Sequence, residues 1–490
     1  MKPYPAAPAC ASAPPRLRPF QNALVLVTIL SAVGCTSYAP QPLDSAVQFE
    51  AFGRRALVDP ALRSILSTTL QRDLNAWPPE SWDLEMLTVA ALQLQPDVAI
   101  ARARAKAADA GTRTAGSRTN PTLALSLQRN TDAVNGVSPW TYGVGLDLPM
   151  QTAPKRDLRV AQAQYLAQAA ASRAREADWS TRSRVRAAMV GVYPVEKLLA
   201  QQQQLKEQIA TLMERRLRLG YASQPEVALA RQSWHQSTFD LTSKRRQRDE
   251  NLSALALAVG VPTRAITSIT LSFDDFEQVV LFAEVPAENV RRGALLRRHD
   301  LLAALAEYGA SQSALQLEVA KQYPDISLGP GYTWDAGAVK WSLGLNIALP
   351  AFDRNQGPIA EAQAKREEAA ANVMALQAKA IVEAEQALAS YGHAVHLLQQ
   401  ADQFLWELSA RNAIVQASLK VGATDQLDWL VSQIEWVNSQ MVRSAALIDA
   451  QQALGRLEDA LRQPLKPAVS VLAPPSPQST RPAPLPKNTQ

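Results

Sequence analysis

The sequence predicts a mainly helical chain that carries four membrane β-strands and is built from one unit written twice. Three observations predict it. Blocks of sequence recur about two hundred residues apart, two pairs of segments alternate large apolar with small or polar residues, and two very long stretches contain almost no proline.

Composition sets the outer limits. The chain has 490 residues, 47% hydrophobic, 19% charged and only 6% aromatic. Length alone suggests about three domains of ordinary size. A mean hydropathy of −0.14 excludes a chain made of many apolar membrane helices. Two cysteines cannot make a disulfide framework, and four scattered histidines do not make a metal cage, so no cofactor is expected. Of the 32 prolines, six fall in the first 20 residues and eight in 464–486. That distribution predicts an ordered body with a disordered, proline-rich tail at 463–490.

The N-terminus reads as an address. Lys2, Arg16 and Arg18 precede an uncharged apolar run at 23–34, which is too short to span as a helix and suits a secretory leader. The run ends in Ala32-Val33-Gly34-Cys35, which resembles a bacterial lipoprotein signal. That resemblance implies a leader at 1–34, lipidation at Cys35 and a lipidated segment at 35–83, with Thr36 implying outer-membrane sorting. The other reading is an ordinary leader cut elsewhere. In the lipoprotein reading Cys10 leaves with the leader.

The repeat organises the rest. Residues 97–121 align without a gap to 300–324, Pro149 pairs with Pro350, and Ala161-Gln162-Ala163 with Ala362-Gln363-Ala364. Arg218-Leu219-Gly220 pairs with Lys420-Val421-Gly422. So long a period is no solenoid; it is a duplicated domain, with repeats at 84–285 and 286–462.

Each repeat orders its elements alike. A first helix, at 84–117 or 286–321, should stop at Asn120-Pro121 or Tyr323-Pro324, because the residue before proline is pushed out of the helical region. Two strands follow, at 122–128 and 141–148, then at 325–333 and 340–349. In the last, Trp341, Leu343, Leu345, Ile347 and Leu349 alternate with Ser342, Gly344, Asn346 and Ala348. Such alternation suits a membrane strand with lipid on one side and water on the other. A half-buried soluble sheet is the alternative, and it predicts more charge on the polar face.

Long helices come next. Residues 155–219 hold one internal proline, Pro194, and 359–421 hold none. At full helical rise each could reach roughly 95 Å. Both end at a glycine, Gly220 or Gly422, and a second helix starts at once. Ser223-Gln224-Pro225-Glu226 reads as a capping box, and Thr424-Asp425-Gln426-Leu427-Asp428 as an acidic helix start. The repeats thus predict two antiparallel helical hairpins with coiled-coil spacing, at about 155–260 and 358–462. Four strands cannot stand alone in lipid, where no backbone group goes unpaired, and single-chain barrels start at about eight. The chain must therefore assemble with copies of itself.

This order of helix, proline, strand, loop, strand, long helix, glycine turn and helix, twice over, resembles the TolC-like outer-membrane efflux proteins. The resemblance covers about residues 80–462. It implies a homotrimer with a twelve-stranded barrel in outer-membrane lipid and a periplasmic barrel of α-helices. It also implies two partners, a periplasmic adaptor and an inner-membrane pump of the resistance-nodulation-division class. Phe352-Asp353-Arg354-Asn355-Gln356-Gly357 is similar to the cobalt–zinc–cadmium resistance branch, which implies divalent heavy-metal cargo; drugs or other small organic compounds are the alternative.

No P-loop, nucleophile elbow or HExxH is present, so no enzyme is expected. A tether without a pore is the rival from another class. The resemblance places a periplasmic aperture at Asp428, with Val431 where the family carries a second acid; Asp425, one turn earlier, is the alternative member of the ring. Helix-dipole stabilisation explains those two acids equally well. It also places adaptor docking at Arg218, Leu219, Gly220, Tyr221, Ala222 and Ser223, and at Lys420, Val421, Gly422, Ala423 and Thr424. Plain turn chemistry explains the glycines without a partner. His393 and His396 read as a surface pair rather than a metal site. Arg173, Arg175, Arg182, Arg184 and Arg186 read as a solvated basic face, and the net charge of +5 gives no reason to expect nucleic acid.

Overall fold

A computed structural model describes residues 38–74, 76–131, 138–279, 296–335 and 337–465. The leader, Cys35, the 280–295 connection and residues 466–490 of the tail lie outside them. Residues up to Arg54 form a unit of their own, which contains α1 (Ser45–Arg54), a helix with no buried residue. The remainder is one compact unit.

Within it α2 (Pro60–Leu70) precedes the first repeat, which begins with α3 (Leu84–Leu94) and α4 (Pro96–Ala115). The single helix expected over 84–117 is two helices, because Pro96 opens a new one at Gln95. Strands β1 (Thr122–Arg129) and β2 (Trp140–Met150) follow. The helical hairpin is α5 (Lys155–Gly191), α6 (Glu196–Arg218) and α7 (Gln224–Val259). Its first arm is therefore not the unbroken rod that its length suggested, and Pro194 sits in the gap. Two short helices, α8 (Thr263–Thr267) and α9 (Asp274–Glu277), end the repeat. The second comprises α10 (His299–Ala320), β3 (Ile326–Asp335), β4 (Ala338–Ile347), α11 (Gln356–Lys420) and α12 (Gln426–Leu461). Here the long arm is continuous over 65 residues.

The strands form one antiparallel sheet in the order β1-β2-β3-β4, so its outer edges are β1 and β4. Register separates its faces. Leu125, Val144, Tyr332 and Trp341 lie side by side across all four strands, and so do Leu127, Tyr142, Trp334 and Val339. Opposite them, Ser126, Gly143, Thr333 and Lys340 form a row of the other face, beside Ala124, Gly145, Gly331 and Ser342. One face is apolar except for Arg129 at its end, which lies over the Trp140 ring, and the other is small or polar. A soluble sheet would cover the apolar face, yet Leu125, Trp341 and Leu343 are 73%, 80% and 71% exposed.

The bases of the strands are tied to the helices. Lys155 Nζ donates to Asp325 Oδ1 at 2.8 Å and Thr152 N–H to the same atom at 3.0 Å, joining the two repeats. Asn355, in the left-handed region at φ 62°, donates its amide to Glu318 Oε2 at 2.9 Å. The 352–357 run is thus an elbow between strand and helix.

The helices form two tiers. Above, α4, α5, α10 and α11 pack in that order; below, α7, α6, α12 and α11 do. Alanines make close approach possible: Ala380, Ala384, Ala387 and Ala394 of α11 are buried, as are Ala446, Ala450 and Ala453 of α12. A larger core lies where the tiers meet, around Trp82, Leu87, Val185, Met189, Leu255 and Ile266.

The arginine run of α5 is a solvated face only in part. Arg186 is 6% exposed and donates to the Gln451 backbone oxygen at 2.6 Å and to its side-chain Oε1 at 2.9 Å. Arg182 meets buried Glu458 at 3.0 Å, and Arg186 reaches the same carboxylate at 3.5 Å. Burial pushes the Arg186 guanidinium below its ordinary value, with Glu458 opposing. Arg173, Arg175 and Arg184 are exposed surface cations, the first paired with Glu307 and the last with Asp97.

If the apolar face meets lipid, Leu343→Arg near the middle of β4 should cost about 2–4 kcal/mol, and Ser342→Arg beside it much less. Urea titration of folding into lipid vesicles measures both, and equal costs would refute the assignment.

Candidate functional site

The ends of the two hairpins are built alike. The Tyr221 N–H donates to Arg216 O at 2.8 Å and the Ala423 N–H to Ser418 O at 2.9 Å, the wide closing bond of a Schellman turn. Gly220 and Gly422 take the left-handed conformation that turn needs, at φ 76° and 74°, and a Cβ at either would meet nothing within 4 Å. Conformation, not space, calls for glycine there.

The next helix starts differ in chemistry. In the first repeat the Ser223 N–H and hydroxyl both donate to the Glu226 carboxylate, at 2.6 and 2.7 Å. In the second, Asp425 takes the place of Ser223 and caps α12, its Oδ1 accepting from the Asp428 N–H at 2.9 Å. The capping role expected of Asp425 is therefore real.

Asp425 does more than cap. Its Oδ2 accepts from Arg216 Nη2 at 2.6 Å, so the last turn of α6 is tied to the first turn of α12. The Asp428 N–H and then the Arg216 guanidinium hold the Asp425 carboxyl below the usual carboxylate range. Asp428 is exposed, with no ion pair among the described residues, and Val431 is 42% exposed. Asp425 and Asp428 are neighbours on one helix start, as the sequence placed them; Arg216 completes the group and was not singled out. Its only signal was its place in a basic last turn with Arg215 and Arg218.

Around this pair the tips present apolar surface. Leu219, Tyr221 and Val421 are 61%, 81% and 80% exposed. Arg218, Ser223, Lys420 and Ala423 are exposed as well, while Ala222 and Thr424 are half-buried. Cations, an aromatic ring and aliphatic side chains thus lie together at the ends of the two hairpins. His393 and His396 are exposed on α11, and no group of three candidate ligands that could hold a metal occurs among the described residues.

Arg216→Ala should free the two tips from each other. Spin labels at Leu219 and Val421 would then show a longer and broader separation, and an unchanged distribution would mean that the pair restrains nothing. The pH dependence follows from the depressed Asp425 carboxyl. The pair is complete above the ordinary carboxylate value of about 4 and is lost only as pH falls through the lower folded value. Label separation should therefore stay constant from about pH 8 to 5 and rise only in stronger acid.

Comparison with known proteins agrees with this architecture. Among solved structures, VceC of Vibrio cholerae is 21% identical, with a TM-score of 0.62 over 77% of this chain and 95% of that one. The outer membrane channel CmeC of Campylobacter jejuni is 16% identical, with a TM-score of 0.63 over 87% and 94%. CusC is 18% identical, with a TM-score of 0.61 over 77% and 91%. These likenesses show the fold. No curated protein matches. The family model described as outer membrane efflux protein matches residues 87–261 and 290–462, one stretch in each repeat. Matched twice over most of its length, the chain belongs to the outer membrane efflux protein family.

Proposed function

We propose that the chain is one subunit of a passive exit duct, a homotrimer whose twelve strands close a barrel in the outer membrane and whose hairpins form a tunnel into the periplasm. The observation that carries this is the sheet with one apolar face and two free edges, β1 and β4. Three copies joined edge to edge would leave no backbone group unpaired in lipid. The polar rows, rich in glycine and serine, would then line water, and no catalytic residue is needed for passage. Energy would come from an inner-membrane pump of the resistance-nodulation-division class.

In this reading the Arg216–Asp425 pair holds the periplasmic aperture at rest, and Asp428 adds a ring of charge that favours cations. The exposed tips around Leu219, Tyr221 and Val421 receive a periplasmic adaptor. Cys35 carries the lipid that anchors the chain to the outer membrane. The likeness of the 352–357 run to the cobalt–zinc–cadmium resistance branch supports divalent heavy-metal cations as cargo. Drugs or other small organic compounds are the second reading.

Two experiments test this. Deleting the gene should lower tolerance of zinc, cobalt or cadmium and leave drug and solvent tolerance unchanged, and the reverse pattern would sink the metal reading. Cys35→Ser should abolish labelling by a fatty-acid probe, and persistent labelling would remove the proposed anchor.

A further inference from the structure

The long arm of the first hairpin is interrupted where that of the second is not. α5 stops at Gly191 and α6 starts at Glu196, whereas α11 passes through the corresponding region unbroken. Pro194 explains the interruption, since it has no N–H and its ring clashes with the preceding turn. The backbone around it is nonetheless well supplied with partners. The Val192 N–H donates to Met189 O at 3.1 Å, the Tyr193 N–H to Val190 O at 3.2 Å and the Val195 N–H to Tyr193 O at 2.8 Å. The Asn251 side-chain amide of α7 donates to Gly191 O. Satisfied groups mark a built joint rather than a local defect.

Tyr193 inside the joint is held from outside its own helix. Its ring meets Phe273 edge-on, with centroids 5.6 Å apart at 77°. Its hydroxyl donates to Glu277 of α9. Burial, and then the bond to Glu277, push the phenol well above its ordinary value, so it remains a donor. Arg443 of α12 lies 3.8 Å from Glu277, and its Nε donates to Asp402 of α11 at 2.6 Å. Four side chains thus connect the joint to both helices of the other hairpin.

The joint also has leverage. The 23 residues of α6 span about 35 Å, so a tilt of about 10° would move the tip by about 6 Å. At that tip stands the Arg216–Asp425 pair.

We propose that the joint at 191–195 is the pivot about which the first hairpin swings to open the periplasmic end, and that the Tyr193–Glu277–Arg443–Asp402 chain is the restraint that sets its resting angle. This rests on the duct reading above. The tip pair and the chain are two restraints on one motion, about 35 Å apart. Pro194 makes the bend possible, and the chain keeps it from occurring unprompted.

The test is resting conductance of the full-length protein in planar bilayers, with folding checked by heat-modifiable mobility on gels. Tyr193→Phe and Glu277→Gln should each raise the open fraction about tenfold, the effect of losing one hydrogen bond to a charged group. Glu277→Gln leaves the joint itself untouched, so it stands in if Tyr193→Phe folds poorly. Pro194→Ala, by letting the helix run on, should suppress the opening caused by Arg216→Ala. If Arg216→Ala opens the channel while both restraint variants conduct as wild type and Pro194→Ala suppresses nothing, the pivot is overturned and the duct reading stands. If Arg216→Ala is silent too, the aperture reading falls with it. Restraint variants that open while Arg216→Ala does not would uphold the pivot and remove the tip pair from the gate.

Discussion

Hydrocarbon offers a peptide group no hydrogen bond, and each unpaired group left in it costs several kcal/mol. That constraint governs this chain. A sheet with free edges at β1 and β4 cannot rest in lipid by itself, however well its apolar face suits the surroundings. The requirement passes down to the helices. β1 belongs to the repeat that supplies α4 and α7, β4 to the repeat that supplies α11, and these same helices stand at the ends of the two packed tiers. Sheet and helices thus leave matching edges open, and a neighbour that completes one is placed to complete the other.

Inside the subunit, different physics operates in different tiers. Between the long helices, alanine lets backbones approach and leaves little side-chain entropy to lose. Where the tiers meet, bulky residues and a few buried ions take over. Arg186 illustrates the balance. A buried guanidinium is tolerable because Gln451 and Glu458 supply acceptors, and Gln451 in turn donates to the Phe276 and Gln278 carbonyls at 2.7 and 3.0 Å. The contact ties α5 and α12 to the α9 segment. Leaving either charge without its partner would cost far more than the pair contributes.

Much of the fold was legible because its signals are local and periodic. The strands declared themselves through alternation, the hairpin ends through glycine, and the duplication through blocks that kept their spacing. What stayed hidden depends on residues far apart in the chain. Arg216 lies more than two hundred residues from Asp425, and nothing around either announces the other. Arg182 and Arg186 of α5 look like part of a polar face until α12 is laid beside them. Pro194 was visible, but whether proline kinks, breaks or merely bends a helix is decided by its surroundings, here Asn251 and Glu277. The residues of the hairpin ends fall between these cases: their place in the turns was readable, and the pairing was not.

The tip pair carries one more implication. Gly220 and Gly422 bring the repeats into register, and in that register Arg216 corresponds to Ser418 and Asp425 to Ser223. A faithful duplicate would offer two such contacts or none. This chain has one, with the cation inherited by the first copy and the anion by the second. Divergence after duplication has therefore made two like hairpins into lock and key. Because α6 and α12 are both inner members of their tier, the bond is private to a single polypeptide. Its release would part the halves of each subunit without first prising one subunit from the next.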